Sequence, residues 1–354
     1  MTPIAQTLSR SNRLADRGAR LLLLLLRARA VLVLVVLLAV FALLVPSFLS
    51  ANNLSILSKH VSISAIVAIG MTFVVLAGGI DLSVGSMAGL SGMVAGYVLT
   101  HHAGGDATLL AVLAALLACL AVGAVNGLLV TRAGVAPFIA TLGTLYIARG
   151  AALLISNGKT FPNLGGDASG TTRLFPAIGQ SFLLHLPTPV WVMAMLFAIA
   201  SGVATRTPLG RHIYAIGGNE RAARLAGINV AQVKLVTYLF SGLCGALVGL
   251  IIAAQLEASH PATGETFELN AIAAVVLGGT SLMGGRGTVL GSLLGAFVIG
   301  VLADGLVMLG VSEFWQIVIK GLVIVLAVSI DQLQTRLQAA FLPYLMRSST
   351  EAGR

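Results

Sequence analysis

Long apolar runs recur along the chain, and they constrain its fold more than any other feature of the sequence. A membrane-spanning helix needs about 20 mostly apolar residues, because each residue rises about 1.5 Å through a hydrocarbon layer about 30 Å thick. Ten runs approach that length: 30–46, 60–78, 83–100, 107–130, 136–156, 187–205, 233–254, 269–284, 288–310 and 313–330. The pattern predicts an all-α, polytopic integral membrane protein with about ten transmembrane helices.

Composition agrees with a protein that is dissolved in membrane lipid. Apolar residues make up 57% of the chain and charged residues 9%, whereas soluble domains average about 45–50% and about 25%. The mean hydropathy is +0.99. The 41 glycines favour close helix packing, since small residues let helix backbones approach one another in lipid.

Two glycine-rich segments interrupt the apolar runs, "GGIDLSVGS" at 78–86 and "GGTSLMGGRG" at 278–287. Irregular backbone at membrane depth is tolerated only where protein or a water-filled cavity shelters it. Each segment is therefore a break within a span or a tight turn between spans. The sequence leaves both interpretations open.

The distribution of basic residues indicates how the chain is oriented in the membrane. It also explains the positive net charge without a nucleic-acid partner. With ten spans, sixteen of the 21 Lys and Arg fall on the side of both chain termini. Such an excess marks the cytoplasmic side. Of the other five, Lys59, Lys159 and Arg173 fall outside. Arg149 and Lys320 lie within spans. The net charge of +9 is thus explained by membrane topology, without nucleic acid.

The predicted spans divide the chain into three parts. A basic segment, 1–29, and a tail, 331–354, flank a transmembrane domain at 30–330, which includes a polar cytoplasmic loop at 206–232. The first span follows the basic segment without a small-residue cleavage site, so we expect it to be retained. The polar stretches 157–180 and 257–268 are expected on the outside.

Catalytic and metal-binding patterns are absent from the sequence. "NGKT" ends like a phosphate-binding loop, but residue 153, where that loop needs its first glycine, is leucine. The six histidines lie in polar connections, and no catalytic triad or metal-ligand spacing is present. Cys119 and Cys244 lie inside apolar runs and are expected to be small buried side chains. We therefore expect no enzyme activity, no metal and no bound cofactor.

Several polar residues at span depth are candidates for lining a solute route. Asp81, with Ser83 and Ser86, either lines that route or caps the following helix, where Ser83 would help to satisfy the first N–H groups. The same alternatives, a route or hydrogen bonding between helices, apply to Asn126, Thr141, Thr144 and Asn270.

The remaining charged residues in the spans favour structural roles. Asp304 and Lys320 are expected to pair across the last two spans, and Arg149 is expected to extend outward from the end of its span. No line of acids or histidines suits a proton relay, which disfavours an ion-driven carrier.

A polar island, "GRHIYAIGGNERAARLAGI" at 210–228, separates two apolar runs. Asn219 is a good N-cap, Glu220 suits the positive end of a helix, and Gly227 suits its C-terminal turn. These signals predict a cytoplasmic helix of about two turns. Isolated helices of that length are marginal in water, so the helix either docks on a partner or is a solvated loop beside anionic lipid.

Three long motifs give the chain a family resemblance. Residues 78–86, 207–228 and 273–296 resemble the permease subunit of bacterial ABC importers of the ribose/xylose/arabinose/galactose type, and the likeness covers about 50–330, including 126–150. The resemblance implies a bundle of mostly ten transmembrane helices in the bacterial inner membrane. It also implies a second permease copy, a periplasmic sugar-binding protein, and cytoplasmic ATPase subunits that hold ATP and Mg.

The resemblance further assigns a role to the polar island. In that family a cytoplasmic loop carries a coupling helix that inserts into a groove on the ATPase. The matching residues in this chain are Gly217, Gly218, Asn219, Glu220, Arg221, Ala222, Ala223 and Gly227. The binding protein is expected to dock on the external loops 157–186 and 257–268. Permeases for branched-chain amino acids or nucleosides, and an ion-driven secondary carrier, are the alternatives.

Overall fold

The computed structural model describes residues 29–102, 106–165, 174–326 and 329, and this part of the chain is predominantly helical. Its helices are α1 Arg29–Leu44, α2 Ala51–Leu76, α3 Val84–His101, α4 Thr108–Thr131, α5 Pro137–Ser156, α6 Ala177–Gln180, α7 Thr188–Arg206, α8 Pro208–Gly218, α9 Glu220–Leu225, α10 Val230–Leu256, α11 Phe267–Leu277 and α12 Val289–Met308. Residues 313–326 are helical as well. A short antiparallel pair, β1 Phe182–Leu183 and β2 Leu186–Pro187, precedes α7.

Within the described residues, six helices are long and apolar enough to cross a bilayer, namely α2, α4, α5, α7, α10 and α12. Helices α1 and α11 are apolar but shorter. The helical character of the chain is therefore confirmed, while the count of ten crossings stays a prediction. The predicted run 269–284 is wrong at its end, because α11 stops at Leu277.

Helices α2 and α10 form the centre of the bundle. Most residues of α2 are buried, whereas most residues of α4 are at least partly exposed, so α2 packs against protein on nearly all sides and α4 lies at the periphery of this single copy. Helix α10 packs on α2, α3 and α4, and α12 packs on α2 and α11. Both cysteines are free and buried, as predicted.

Each glycine-rich segment is a non-helical connection between two helices. Residues 77–83 connect α2 to α3, and residues 278–288 connect α11 to α12; we call these break 1 and break 2. The breaks touch one another, because the Gly285 N–H donates a 3.0 Å hydrogen bond to the Leu76 carbonyl at the end of α2. Two segments 200 residues apart in sequence thus form one structural unit.

Part of the stretch 257–268, which the sequence analysis expects on the outside, enters the bundle. Ser259 pairs with Phe161 of the preceding polar connection, but the carbonyl of Gly264 approaches Gly85 in the first turn of α3. Gly85 lies 16 residues before His101, the last residue of α3, which is about 24 Å at 1.5 Å per residue. The chain therefore descends deep into the bundle before α11 begins.

Two expectations about charged residues are also corrected. Asp304 accepts a 3.0 Å hydrogen bond from the Asn53 amide, and among the described residues it makes no ion pair with Lys320. Arg149 turns inward to the carbonyls of Pro261 and Thr263, because that irregular backbone needs donors. The basic segment before residue 29, the tail 331–354 and part of the loop 157–186 lie outside the described residues.

Candidate functional site

The short helix predicted in the polar island is present as α9. The Asn219 side-chain oxygen accepts a 2.9 Å hydrogen bond from the Ala222 N–H, so the predicted N-cap is confirmed. Gly227 has a φ of +85°, and its N–H bonds the Arg224 carbonyl at 3.1 Å. A left-handed residue at that position is the common way to end a helix, and it favours glycine.

Side-chain contacts hold α9 against the bundle. Ala223 is buried in a cluster that includes Ile213 of α8 and Val230 of α10. The Glu220 carboxylate accepts hydrogen bonds from Arg224 at 3.0 Å and from Lys234 of α10 at 2.7 Å. The hydrogen bond from Lys234 is the main cause that lowers the pKa of Glu220. Glu220 thus fixes α9 to the base of α10.

The opposite face of α9 is free for a partner. Arg221 and Ala222 are exposed, and the Leu225 side chain is 86% exposed. The exposed face of α9 thus combines an arginine, a small alanine and an apolar leucine. The helix is therefore anchored on one side and available on the other.

The sequence analysis did not predict helix α8, which precedes α9. The Thr207 hydroxyl accepts a 3.3 Å hydrogen bond from the Gly210 N–H, and Pro208 occupies the first turn. Both residues are strong signals for a helix start. On the far side of α8, the Tyr214 hydroxyl donates a 2.8 Å bond to the Gly287 carbonyl of break 2, and burial raises the pKa of Tyr214.

The end of α8 meets both breaks at a close backbone contact, which we call the glycine junction (Gly78, Gly217, Gly284 and Gly285). A methyl group added at Gly217 would overlap the Leu76 carbonyl and the Gly285 N–H. One added at Gly284 would lie 3.0 Å from the backbone of Gly217 and of Gly78. Only glycine fits such an approach. The α8–α9 unit is therefore in direct contact with both interruptions of the bundle.

Break 1 is fixed by a buried chain of hydrogen bonds. One Asp81 carboxylate oxygen accepts from the Ser83 N–H at 3.0 Å and from its hydroxyl at 2.6 Å, and the other accepts from Ser241 of α10 at 2.7 Å. The Asn126 amide donates to Ser83 at 2.8 Å and accepts from Thr144 at 2.5 Å. The chain connects break 1 to α4, α5 and α10.

The predicted route residues fall into two groups in a single copy of the chain. All but one are buried and bond to other protein groups, including Ser86 to the Ser83 carbonyl at 2.9 Å and Thr141 to the Ile80 carbonyl at 3.2 Å. Asn270 is separate and half-exposed. These contacts are of the kind that ties helices together. Solute contact by any of these residues stays a prediction.

One detail of the capping hypothesis is wrong, and one buried group was missed. Ser83 satisfies no helix N–H with its side chain, because its hydroxyl donates to Asp81 instead. Tyr238 of α10 is buried, and its hydroxyl has no hydrogen-bond partner among the described residues. The sequence signal for Tyr238 was weak, since a tyrosine in an apolar run is typical of an ordinary core residue.

Comparison with known proteins decides the family. Residues 53–328 match the family described as branched-chain amino acid transport system / permease component. The chain belongs to this family. The permease is 44% identical to the ribose import permease protein RbsC of Escherichia coli K12 over 307 residues, which cover 87% of this chain and 94% of the relative. No solved structure gives a significant match.

Other relatives of the permease bear related names. RbsC of Bacillus subtilis is 44% identical, with coverage of 84% of this chain and 90% of the relative. The xylose transport system permease protein XylH of Escherichia coli K12 is 37% identical, with coverage of 82% and 87%. The resemblance seen in the motifs is thus confirmed. The permease is a transport subunit in a membrane, and it is not an enzyme.

Proposed function

We propose that the permease forms the membrane route of an ABC importer for a monosaccharide. The observation that supports this most directly is α9, a capped helix that is anchored to α10 by Glu220 and Lys234 and has a free outer face. The names of the relatives, which are ribose and xylose permeases, favour a sugar as solute. A permease for branched-chain amino acids or nucleosides is the second candidate, because the family description includes the former.

The proposed topology has about ten crossings in the bacterial inner membrane, with both termini in the cytoplasm. The glycine-interrupted spans meet at breaks 1 and 2, and the end of the bundle that contains α8 and α9 faces the cytoplasm. This orientation follows from the excess of Lys and Arg on that side. The domain limits 30–330, with the coupling loop 206–232, remain those expected from the sequence.

The proposed assembly places the chemistry on partner chains. ATP and Mg bind to two cytoplasmic ATPase subunits, which contact the free face of α9. A periplasmic binding protein delivers the sugar to the outer connections, of which 157–165, 174–186 and 257–259 lie at that end of the described structure. A second permease copy completes the route between the two subunits, and lipid covers the remaining apolar surface.

The proposed coupling runs through backbone contacts. ATP-driven closure of the ATPase subunits moves α9, and α8 moves with it. Because Gly217 touches the end of α2 and break 2, a shift of α8 displaces both interruptions of the bundle together. The route then opens or closes where the helices are discontinuous, which is where a helical bundle is easiest to rearrange.

The test reconstitutes the permease in proteoliposomes with its ATPase and ribose-binding partner. Arg221→Glu and Glu220→Lys are expected to leave the protein inserted but to separate ATP hydrolysis from ribose uptake, since both change the charge of α9. Arg132→Glu is the control, because Arg132 is an exposed arginine in the connection from α4 to α5. Normal coupled uptake by both α9 variants would refute the assignment.

The same proteoliposomes address the secondary carrier. A carrier needs only this chain and an ion gradient, whereas the proposed permease requires ATP and both partners. Accumulation of ribose by the permease alone, with nucleotide absent, would overturn the ABC mechanism.

A further inference from the structure

The chain between α10 and α11 enters the bundle as an irregular segment, which we call the re-entrant segment (residues 260–266). It starts beside Ser259, whose hydroxyl donates a 2.6 Å bond to the Gly92 carbonyl. Near its other end, Gly264 touches Gly85. From Gly92 to Gly85 the axis of α3 falls by about 10 Å. The segment therefore leads from the outer part of the bundle toward its middle.

Glycines on one face of α3 make room for this descent. A methyl group added at Gly89 would lie 2.8 Å from the Thr263 carbonyl and 3.0 Å from the Pro261 carbonyl, and one at Gly85 would overlap the Gly264 carbonyl. The side chains of Glu268 and Arg149 come equally close to Gly85 and Gly89, respectively, so the helix surface receives the backbone of the segment together with these two side chains. The position of the segment is a built feature of the fold.

Arg149 of α5 satisfies the carbonyls that this descent leaves without helix partners. One guanidinium nitrogen donates to the Pro261 carbonyl and, at 2.9 Å, to the Thr263 carbonyl. Glu265 and Glu268 also act on this guanidinium electrostatically. A charge at such depth is costly, and the hydrogen bonds to the two carbonyls offset part of that cost while they tie the segment to α5.

Four polar residues follow these carbonyls, and each is at least partly exposed. Glu265 and Thr266 are exposed, and Glu268 and Asn270 are half-exposed. Thr266 has a φ of +68°, and a β-branched residue in that region is strained, as is frequent at ligand sites. Irregular backbone with free polar side chains does not face lipid. The exposed side of the segment must therefore face water or protein.

We propose that the re-entrant segment lines the sugar's route halfway through the membrane, with Glu265, Thr266 and Asn270 as contact residues and Arg149 as the positioning residue. A carboxylate accepts hydrogen bonds from sugar hydroxyls, and the threonine hydroxyl and the amide both donate and accept. These groups suit a neutral polyhydroxylated solute, which needs replacements for its water shell. The inference rests on the proposed sugar-import function and assigns its solute contacts.

Cysteine labelling tests whether the segment faces water. Thr266→Cys is treated with a small, permanently charged methanethiosulfonate in the assembled transporter. The two native cysteines are buried and give a low background. Ile147→Cys is the matched control, because Ile147 is 70% exposed and lies two residues from Arg149 in α5, on another side of that helix. Labelling of Thr266→Cys alone is expected, and equal resistance of both variants would overturn the proposal.

Transport then tests whether the water-facing segment contacts sugar. Ribose, with binding protein and ATP, is expected to slow the labelling of Thr266→Cys. Glu265→Gln is expected to reduce the maximal ribose uptake rate about tenfold, the effect of weakening one charged hydrogen bond. Labelling without protection, together with wild-type uptake by Glu265→Gln, would exclude sugar contact. Wild-type ribose uptake is measured in parallel, so a failure of the proposed function is recognised separately.

Arg149 is tested through a readout that a merely structural role would not change. Arg149→Met removes the donors and is expected to make Thr266→Cys reactive without protection by ribose, because the segment loses its position. Arg149→Lys retains a donor and is expected to restore part of that protection. Unchanged protection in the Arg149→Met background would show that the arginine does not position the segment.

Discussion

The substitution Gly217→Ala tests the glycine junction most directly. The added carbon would overlap two backbone groups, the Leu76 carbonyl and the Gly285 N–H. No flexible side chain is involved, so the backbones themselves must separate by about 1 Å or more to reach normal contact near 3.5 Å. That separation also weakens the 3.0 Å hydrogen bond between Gly285 and Leu76.

The expected cost follows from these two changes. Overpacking costs about 1–3 kcal/mol, and a weakened hydrogen bond adds about 1 kcal/mol. Because alanine favours helix more than glycine does, the substitution offsets about 1 kcal/mol of this destabilisation. The net cost is therefore about 1–3 kcal/mol, which is a change of about 5- to 150-fold in the population of the intact junction.

Gly218→Ala is the matched control, because nothing lies within 4 Å of a methyl group added at that position. Both variants are made in the last two residues of α8 and share the change in helix preference, so their difference isolates the clash. Ribose uptake per ATP hydrolysed in proteoliposomes is expected to fall at least about fivefold in Gly217→Ala and to stay near wild type in Gly218→Ala. Equal coupling ratios in the two variants would refute the role of the junction.

Two further predictions concern the anchors of α9 and of break 1. Because Lys234 lowers the pKa of Glu220, their bond stabilises the fold fully above the unfolded-state pKa of about 4.3 and is lost as the pH falls through the lower folded-state pKa. The stability gap between wild type and Lys234→Met, measured by thermal melting, should therefore close at acid pH, and a gap independent of pH would contradict this assignment. Asp81→Ala leaves three donors unpaired and is expected to lower the free energy of unfolding by at least about 3 kcal/mol. Ser86→Ala removes one local bond and should cost about 1 kcal/mol; similar melting of these two variants would count against the buried network.

Local signals in the sequence were sufficient to predict helix α9. Asn219 and Gly227 marked both ends of α9, because N-caps and left-handed closing residues act within a few positions. The start of α8 was marked just as clearly by Thr207 and Pro208. The sequence analysis nevertheless interpreted this stretch as a loop, because charged and glycine-rich residues follow it.

Long-range contacts explain what the sequence did not predict. The stretch 257–268 has the composition of an external loop, and its descent into the bundle depends on Gly85 and Gly89, some 170 residues earlier in the chain. Asp81 was equally compatible with a route and with a cap. Its partner Ser241 lies 160 residues away, and no local pattern connects the two.

Helix α10 has a mechanical consequence because of where it begins and ends. It starts three residues after Gly227 and ends four residues before the re-entrant segment, with a length of about 40 Å for its 27 residues. A tilt of about 5° around the end that contacts α9 would carry its far end about 3.5 Å sideways, which is more than the diameter of a water molecule, about 2.8 Å. Under the proposed coupling, this one helix would therefore receive the motion of α9 at one end and set the width of the sugar's route at the other.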